Sequence, residues 1–424
     1  MTAPLPGPAS PAEPEGAGAV FARRLPRTVV ALGLVSLLND ASAEMIVPLL
    51  PVFVLAVGGS ASTLGWIEGI ADTTAGLFRL MSGALADRVR RKKPLIVAGY
   101  ALSSGVRPLV ALATGPFMVL AVRFLDRVGK GIRGTPRDAL VAEITPSGQR
   151  GRAFGLHRAM DHAGNVVGPL LAFSLLAGVG SAPGVDDLRR VFTWAALPAA
   201  LALLIVVFVV REPPRAPRPE PPRQPLSIRP PKAPALRRFL LANLLFGLGG
   251  SSDAFLLLRA TELEVPIAAL PLFPALLSIV RVVLTTPFGA LSDRLSHRAL
   301  IAAGWTLYAT VYAGFAFASE AWHAFALIAL YGVHYSLVEG AERAWVAELA
   351  PPAERGRAYG SWSFVTAIVA LPASLLFGVV RDRHGAEAAF LIGAGFATAG
   401  LAVLLTGRWP RSGSLPPAAT VRGV

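Results

Sequence analysis

The 424-residue sequence contains no cysteine. That excludes a disulfide framework, a thiolate metal site and a cysteine nucleophile. Lysine occurs only at 92, 93, 130 and 232, so nearly all of the basic charge is arginine. Charged residues make up only 16% of the chain, too few for an ordinary soluble protein of this size. A metalloprotease His-Glu-x-x-His, a Walker phosphate loop and a dinucleotide glycine motif after a strand are all absent. The glycines and lysine of RVGKGIRG at 127–134 lie inside an apolar helical stretch, so they are not read as a phosphate cradle. No tight metal-ligand motif appears, and no cofactor is expected.

What remains is apolar residues in quantity. They form 54% of the chain, and the mean hydropathy is +0.56. At ~20 residues per transmembrane helix this is enough for roughly a dozen spans. Apolar runs fall from about 27 to 57, then at about 65–86, 94–113, 116–135, 152–180 and 191–210. Six more follow at about 239–259, 268–290, 299–317, 322–345, 358–380 and 386–405. The first run is too long for a cleaved signal core. The expected fold class is an all-α integral membrane protein with twelve transmembrane helices.

The net charge of +14 is read through loop placement, not as a nucleic-acid surface. DRVRRKK at 87–93 carries five basic residues, Arg150 and Arg152 follow span four, and Arg294 and Arg298 follow span eight. The alternate loops, GGSAST and ATGP, are uncharged. This asymmetry predicts a multi-pass protein of the inner (plasma) membrane with both termini cytoplasmic. Residues 1–22 read as a disordered tail, 23–210 as a first six-helix bundle and 239–406 as a second. Between them, 211–238 has eight basic residues, two acids and many prolines, and reads as a cytoplasmic linker. Residues 407–424 read as a C-terminal tail.

The two halves repeat. GALADR at 83–88 recurs as GALSDR at 289–294, an offset of 206. VAEITPSGQRGRAFG at 141–155 recurs as VAELAPPAERGRAYG at 346–360, an offset of 205. Two matches at nearly one spacing imply a duplicated six-helix unit and two pseudo-symmetric bundles. Transporters are commonly built this way, with the substrate site at the midplane between the repeats.

GALADRVRRKK resembles the loop signature between helices 2 and 3 of the major facilitator superfamily. The resemblance covers about residues 25–405. It implies the major facilitator fold and a cytoplasmic gate built from Gly83, Asp87, Arg88, Arg91 and Lys92, with Gly289, Asp293 and Arg294 in the second copy. Gly155, Gly164 and Gly168-Pro169 resemble the helix-5 motif of the superfamily's drug/proton antiporters, where small residues let helix backbones approach closely. Ala172-Phe173 stands where that motif closes on Gly-Gly. Arg127 matches the helix-4 arginine that the family links to proton transfer, with Lys130 in place of a glutamine.

Ionisable groups inside spans are costly, by ~2.5–3.5 kcal/mol each on insertion scales, and usually face the bundle interior. In span one, Asp40 and Glu44 share a face, with Asn39 adjacent. Glu68, Asp72 and Arg79 form one stripe in span two. Span four places Arg123, Asp126, Arg127, Lys130, Arg133 and Arg137 along one face, and span five places Arg158, Asp161, His162 and Asn165 together. The second half is sparser, with Asp253, Arg281, Glu339, Glu342 and Arg343, so substrate and proton chemistry is expected mainly in the first. For Glu68 the alternative is a solvated position at the outer mouth, for Asp126 a static pair with Arg127, and for His162 a packing role.

These features lead to a proton-coupled secondary transporter, exporting a small solute such as a drug, metabolite or metal chelate by alternating access. The expected partners are that solute, protons and the lipid bilayer, with the chain acting as a monomer. An importer of an anionic solute, drawn by the basic helix 4, is the alternative. A membrane-embedded receptor or enzyme is a more distant one.

Overall fold

Backbone N–H and C=O groups have no water to bond in a bilayer, so a spanning segment must satisfy them internally. In the computed structural model, which describes residues 25–89, 91–179, 183–213, 233–292, 295–351, 354–407 and 409, all regular structure is helical. The expected N-terminal tail, residues 214–232 of the linker and nearly all of the C-terminal tail lie outside the described residues.

Twelve spans are present among the described residues. In the first half they are α1 (Arg27–Ala56), α2 (Ala61–Arg88), α3 (Lys93–Leu112), α4 (Pro116–Ile144), α5 (Arg150–Ala177) and α6 (Val185–Phe208). In the second half, α7 comprises Pro234–Leu248 and Ala254–Glu262, followed by α8 (Leu272–Ser292), α9 (His297–Phe317) and α10 (Ala321–Glu348). A continuous stretch, Arg355–Thr406, holds the last two, α11 and α12, which meet at Gly385. Gly385 has φ of 84°, a left-handed conformation open to glycine at no steric cost, and this reverses the chain within one residue. Spans α1, α3, α6, α8, α9, α10 and the α11–α12 stretch are long and apolar enough to cross a membrane. The other four are more polar or interrupted: α2, α4 and α5 carry charges, and α7 is broken.

The halves are built alike. In the first, α1 packs on α5, α2 on α4 and α3 on α4. In the second, α8 and α9 pack on α10 as α2 and α3 do on α4, and α7 packs on the α11–α12 stretch. Glycine sets the closest approach between α1 and α5. A Cβ on Gly164 would lie 2.5 Å from the Leu37 carbonyl oxygen, and one on Gly168 would lie 2.4 Å from that of Ala41. Pro169 is buried beside this contact.

Aromatic stacking fills the second half. Phe246 lies parallel to Trp305 at 4.3 Å, and Tyr308 stacks on Tyr312 at 4.3 Å. Outward positions such as Leu201, Phe208 and Val283 are exposed apolar side chains, suited to lipid.

Across the interface between halves, α2 runs against α11 and α5 against α8. A Cβ on Gly65 would meet the Ser374 carbonyl oxygen at 2.5 Å, and one on Gly378 would meet that of Ala61 at 2.5 Å. These contacts lie at the end of the molecule opposite the basic loops, called the far end below. Towards the basic-loop end, a Cβ on Gly134, Gly155, Gly289, Gly340 or Gly360 would meet nothing within 4 Å. Among the described residues the halves therefore touch closely at the far end, while the basic-loop end, called the open side below, leaves these positions free. Gly155, expected to pack with Gly164 and Gly168, stands free in this state because it lies on the open side.

A valine at Gly168 should overpack the α1–α5 contact at a cost of about 1–3 kcal/mol. The thermal midpoint of the purified protein in detergent should fall by several degrees for Gly168→Val and stay near its original value for Gly155→Ala. Equal midpoints would contradict this packing.

Candidate functional site

Between the halves lies a chamber of about 320 Å³. Glu44, Glu68, Asp72, Arg127, Lys130 and Asn165 line it from the first half. Ser251, Ser252, Asp253, Ser278, Arg281 and Tyr335 line it from the second, with an apolar wall that includes Leu257, Phe273, Leu277 and Ile328. The volume suits a small organic solute. The second half contributes as many polar groups as the first, while five of the seven charged lining residues, Glu44, Glu68, Asp72, Arg127 and Lys130, come from the first.

The buried charges are paired in a definite order. Arg123 grips Glu68 with Nη2 at 2.6 and 2.9 Å and Nε at 3.1 Å, and both residues are only about 5% exposed. The reading of Glu68 as a solvated residue at the outer mouth is therefore overturned. Asp126 is paired with Arg107 of α3 at 2.8 Å, not with Arg127. Arg107 also donates to the Asn39 carbonyl oxygen and to Ser42 Oγ, both at 3.0 Å. It thereby ties α1, α3 and α4 together around groups that would otherwise be buried unpaired. Arg127 instead faces Asp72 at 4.0 Å.

The charges of α4 do not act as one face. Arg123 turns to α2, Asp126 to α3, and Arg127 and Lys130 to the chamber. Arg133 sits 4.4 Å over the ring of Tyr100 on α3. Arg137 donates to Ser36 Oγ at 3.0 Å, and that hydroxyl donates to Asp161. Asp161 lies 3.7 Å from His157 in this separate network on the open side. Asp40 accepts from Asn39 Nδ2 at 2.9 Å. His162 is half-buried, forms no hydrogen bond among the described residues and does not line the chamber.

Two lining groups of the first half have no such partner. Neither Glu44 nor Lys130 forms an ion pair within 4 Å among the described residues, and Lys130, Asp40, Arg127 and Arg123 are the charges that face Glu44. Asn165 joins them on the chamber wall.

The second half reaches the chamber through a break in α7. Between Leu248 and Ala254 the chain reads Gly-Gly-Ser-Ser-Asp and leaves helical form. Irregular backbone at membrane depth is tolerated where protein buries it or a cavity wets it. Here Tyr308 donates to the Gly249 carbonyl oxygen at 3.1 Å, and the Ser251 and Tyr312 hydroxyls lie 2.9 Å apart. Tyr331 donates to Asp253 Oδ1 at 2.9 Å. Arg281 pairs with Glu339 at 3.1 Å and lies over the Tyr335 ring at 4.9 Å. Sequence reasoning placed one unbroken span over 239–259 and missed this site. Its signal was GLGGSSD at 247–253, since glycine interruptions within a span mark transporter sites. Arg107 was missed as well; the signal was a lone arginine within an apolar span.

A polar chamber at mid-depth between two repeated six-helix halves, one of them entered through a broken helix, is transporter geometry. The sequence profile of the Major Facilitator Superfamily matches residues 32–373 and 239–421. The chain belongs to the Major Facilitator Superfamily. It is 31% identical over 386 residues to an uncharacterised MFS-type transporter of Methanocaldococcus jannaschii, covering 88% of this chain and 92% of that protein. It is 34% identical over 133 residues to the multidrug resistance protein MdtH of Photorhabdus laumondii, covering 31% and 33% of the two chains. Among solved structures, it is similar to a POT family transporter in complex with 5-aminolevulinic acid. That match has a TM-score of 0.74 and 12% identity, over 90% of this chain and 95% of that one. It is also similar to a bacterial homologue of the human lysosomal transporter Spinster, inward-facing and occupied, with a TM-score of 0.71 and 18% identity over 89% and 95%. At these identities the structures share the superfamily fold. The protein is thus an integral membrane transporter.

Of the superfamily's expected gate, Lys92 is buried and bonds Glu143 of the same half at 2.6 Å, so it does not reach across. Arg91 and Gly289 are exposed. Gly83, Asp87 and Arg88 lie on the last turns of α2, but their side chains are outside the described residues, as are Asp293 and Arg294 altogether. The polar latch that the structure does describe is at the far end, where sequence reasoning placed none. Asp382, in the last turn of α11, accepts from the backbone N–H groups of Ala61 at 3.1 Å and Ser62 at 2.8 Å, and from the Ser62 hydroxyl. It caps the N-terminus of α2 from the opposite half, satisfying donors that a helix start leaves free. Thr73 of α2 adds a bond to the Ala367 carbonyl oxygen at 2.9 Å.

Removing a cap costs about 0.5–2 kcal/mol, which shifts a two-state balance about 2–30-fold. Spin labels on cysteines at Arg190 and His384 should report a longer inter-label distance population in Asp382→Ala than in the parent, with Asp382→Asn between the two. Identical distributions for Asp382→Ala and the parent would rule out the latch.

Proposed function

We propose that the protein exports a small solute across the inner membrane in exchange for protons, by rocking its two halves about the chamber. The observation that carries this reading is Glu44. It is a carboxylate on the chamber wall of an integral membrane protein, without an ion pair among the described residues. Such a group gains a proton when the solute leaves and loses it when the solute returns, so the two are exchanged rather than moved together.

In this reading the open side of the chamber and both termini face the cytoplasm, which the basic excess of the loops on that side supports. Solute enters from there while α2 and α11 hold the far end shut. Release outward requires the Asp382 cap and the glycine contacts at Gly65 and Gly378 to part. The free faces at Gly134 and Gly340, and at Gly155 and Gly360, stand at the repeat offsets of 206 and 205. In this reading they are the surfaces that come together when the cytoplasmic side closes, and they give the helix-5 glycine motif its role. Relatives bearing the multidrug resistance names MdtH and MdtG, similar over about a third of the chain, support the export direction.

The test is a resistance and accumulation screen in an efflux-deficient host, followed by transport of the selected solute in proteoliposomes. An imposed proton gradient, acid on the side receiving the solute, should drive export. Glu44→Gln should lower gradient-driven export at least tenfold while downhill exchange of solute continues. Transport by the parent protein that ignores the gradient, or a Glu44→Gln variant as active as the parent, would overturn the coupling.

A further inference from the structure

The repeat between the halves extends past the segments that match in sequence. At the offset of 205 that aligns 141–155 with 346–360, Arg137-Asp138 on α4 corresponds to Glu342-Arg343 on α10. The sign of charge is inverted at both positions. The surroundings repeat as well. Tyr100 of α3 and Trp305 of α9 stand at the same offset, and both are fully buried. Arg137 lies against Tyr100, and the Trp305 indole N–H donates to Glu342 at 3.1 Å. The side chain of Asp138 is 48% exposed and that of Arg343 is 51% exposed. Each half thus presents an inner charge beside an aromatic ring and an outer charge turned to the open side.

In this state the charges are kept within their own halves. Arg137 pairs with Asp138 at 3.0 Å, and Arg343 reaches Glu339 at 3.4 Å. Glu342 has no ion pair within 4 Å among the described residues, and the charges that act on it, Arg343 and Glu339, belong to its own helix. Two contacts already reach across the cleft. Arg79 of α2 feels Asp138 and Arg137 of its own half together with Arg343 of the other. Glu339 feels Arg158 of α5, so it keeps a counter-charge when Arg343 turns away.

We propose that Arg137 with Glu342 and Arg343 with Asp138 form a reciprocal double ion pair that holds the basic-loop side shut when the halves rock the other way. It rests on the rocking in the export reading, and not on the direction of transport or on protons. Repeats of this kind are related by an axis along the membrane normal. Equivalent helices therefore meet across that axis when the pathway closes, and a contact of this symmetry brings each residue near its equivalent. Identical charges in the two copies would repel there. Charges inverted at both positions attract in that register, whereas Arg137 against Arg343 and Asp138 against Glu342 would repel. Asp138 shares a helix face with Gly134, one turn before it, and Arg343 lies one turn past Gly340, so closure of the free glycine faces carries both pairs together. Closure also gives Glu342 a guanidinium, which offsets the cost of a poorly compensated carboxylate inside a span. The Asp382 cap and this double pair then hold alternate states of one bundle.

The test is a double electron–electron resonance measurement on the full chain in nanodiscs, with no solute and no gradient, so a failed transport reading and a failed contact remain distinguishable. Spin labels sit on Gly151→Cys and Gly356→Cys, which stand at the repeat offset and where a Cβ meets nothing within 4 Å. The Asp382→Ala background releases the far end and enlarges the shorter-distance population, closed on the basic-loop side. Asp138→Lys or Arg343→Glu sets like charges opposite each other and should lower the ratio of shorter to longer population about fivefold. The double variant, with the charges exchanged, should return the ratio to within about twofold of the background, which also shows that the reversed side chains are tolerated. A background without a shorter-distance population, an unchanged ratio in either single variant, or a double variant as depleted as the singles would each overturn the proposal.

Discussion

A charge inside a bilayer must be paired or kept in contact with water, and the first half of this protein is arranged around that constraint. Arg123 with Glu68 and Arg107 with Asp126 are buried pairs that cross between helices, from α4 to α2 and from α3 to α4. Arg107 adds α1 through Asn39 and Ser42. Breaking a buried pair from one side is far costlier than never having made it. These pairs therefore fix how α1 to α4 stand relative to one another, and with them the direction in which Glu44, Arg127 and Lys130 project. The chamber is the remainder: the place where charges that α1, α2 and α4 carry without strong partners meet water.

The second half meets the same constraint differently. It has fewer charges, and it presents backbone and hydroxyl groups through the break in α7. Tyr308, Tyr312 and Tyr331 satisfy the unwound segment and belong to the aromatic stack behind it. One side of the chamber is thus set by ion pairs and the other by a tyrosine-braced turn. Among the described residues, the glycine contacts and the Asp382 cap join the halves from the far end inward along α2 and α11, so opening there and closing on the basic side involve different residues. That separation is what a rocking motion about a central chamber needs.

Much of this was legible in the sequence. Apolar run length located most span ends to within about five residues, because the hydrocarbon thickness dictates it, but α4 continues nine residues past 135 and α6 begins six before 191, where the helices are charged. The duplicated segments gave the two halves, and charge periodicity found Glu44, Glu68, Asp72, Arg127, Lys130 and Asn165. What periodicity cannot supply is the partner. Asp126 and Arg127 are sequence neighbours, yet helical geometry points them about 100° apart, one to Arg107 and the other to the chamber. Nothing in the spacing of Glu68 shows that Arg123 covers it. Asp253 is easily discounted because the apolar run around it reads as one helix, although Gly249 and Gly250 already mark the interruption. Gly155 matches a motif by spacing, but whether it packs depends on which side of the bundle is open.

The central claim is that the residues assigned to the chamber face water at mid-depth while apolar neighbours face lipid. Since the chain has no cysteine of its own, single cysteines at Asn165, Ser252, Leu201 and Val283 can be compared directly for reaction with a membrane-impermeant maleimide in sealed inside-out vesicles. The account predicts that positions 165 and 252 react and that 201 and 283 do not. Reaction at 201 and 283, with 165 and 252 inert, would contradict it.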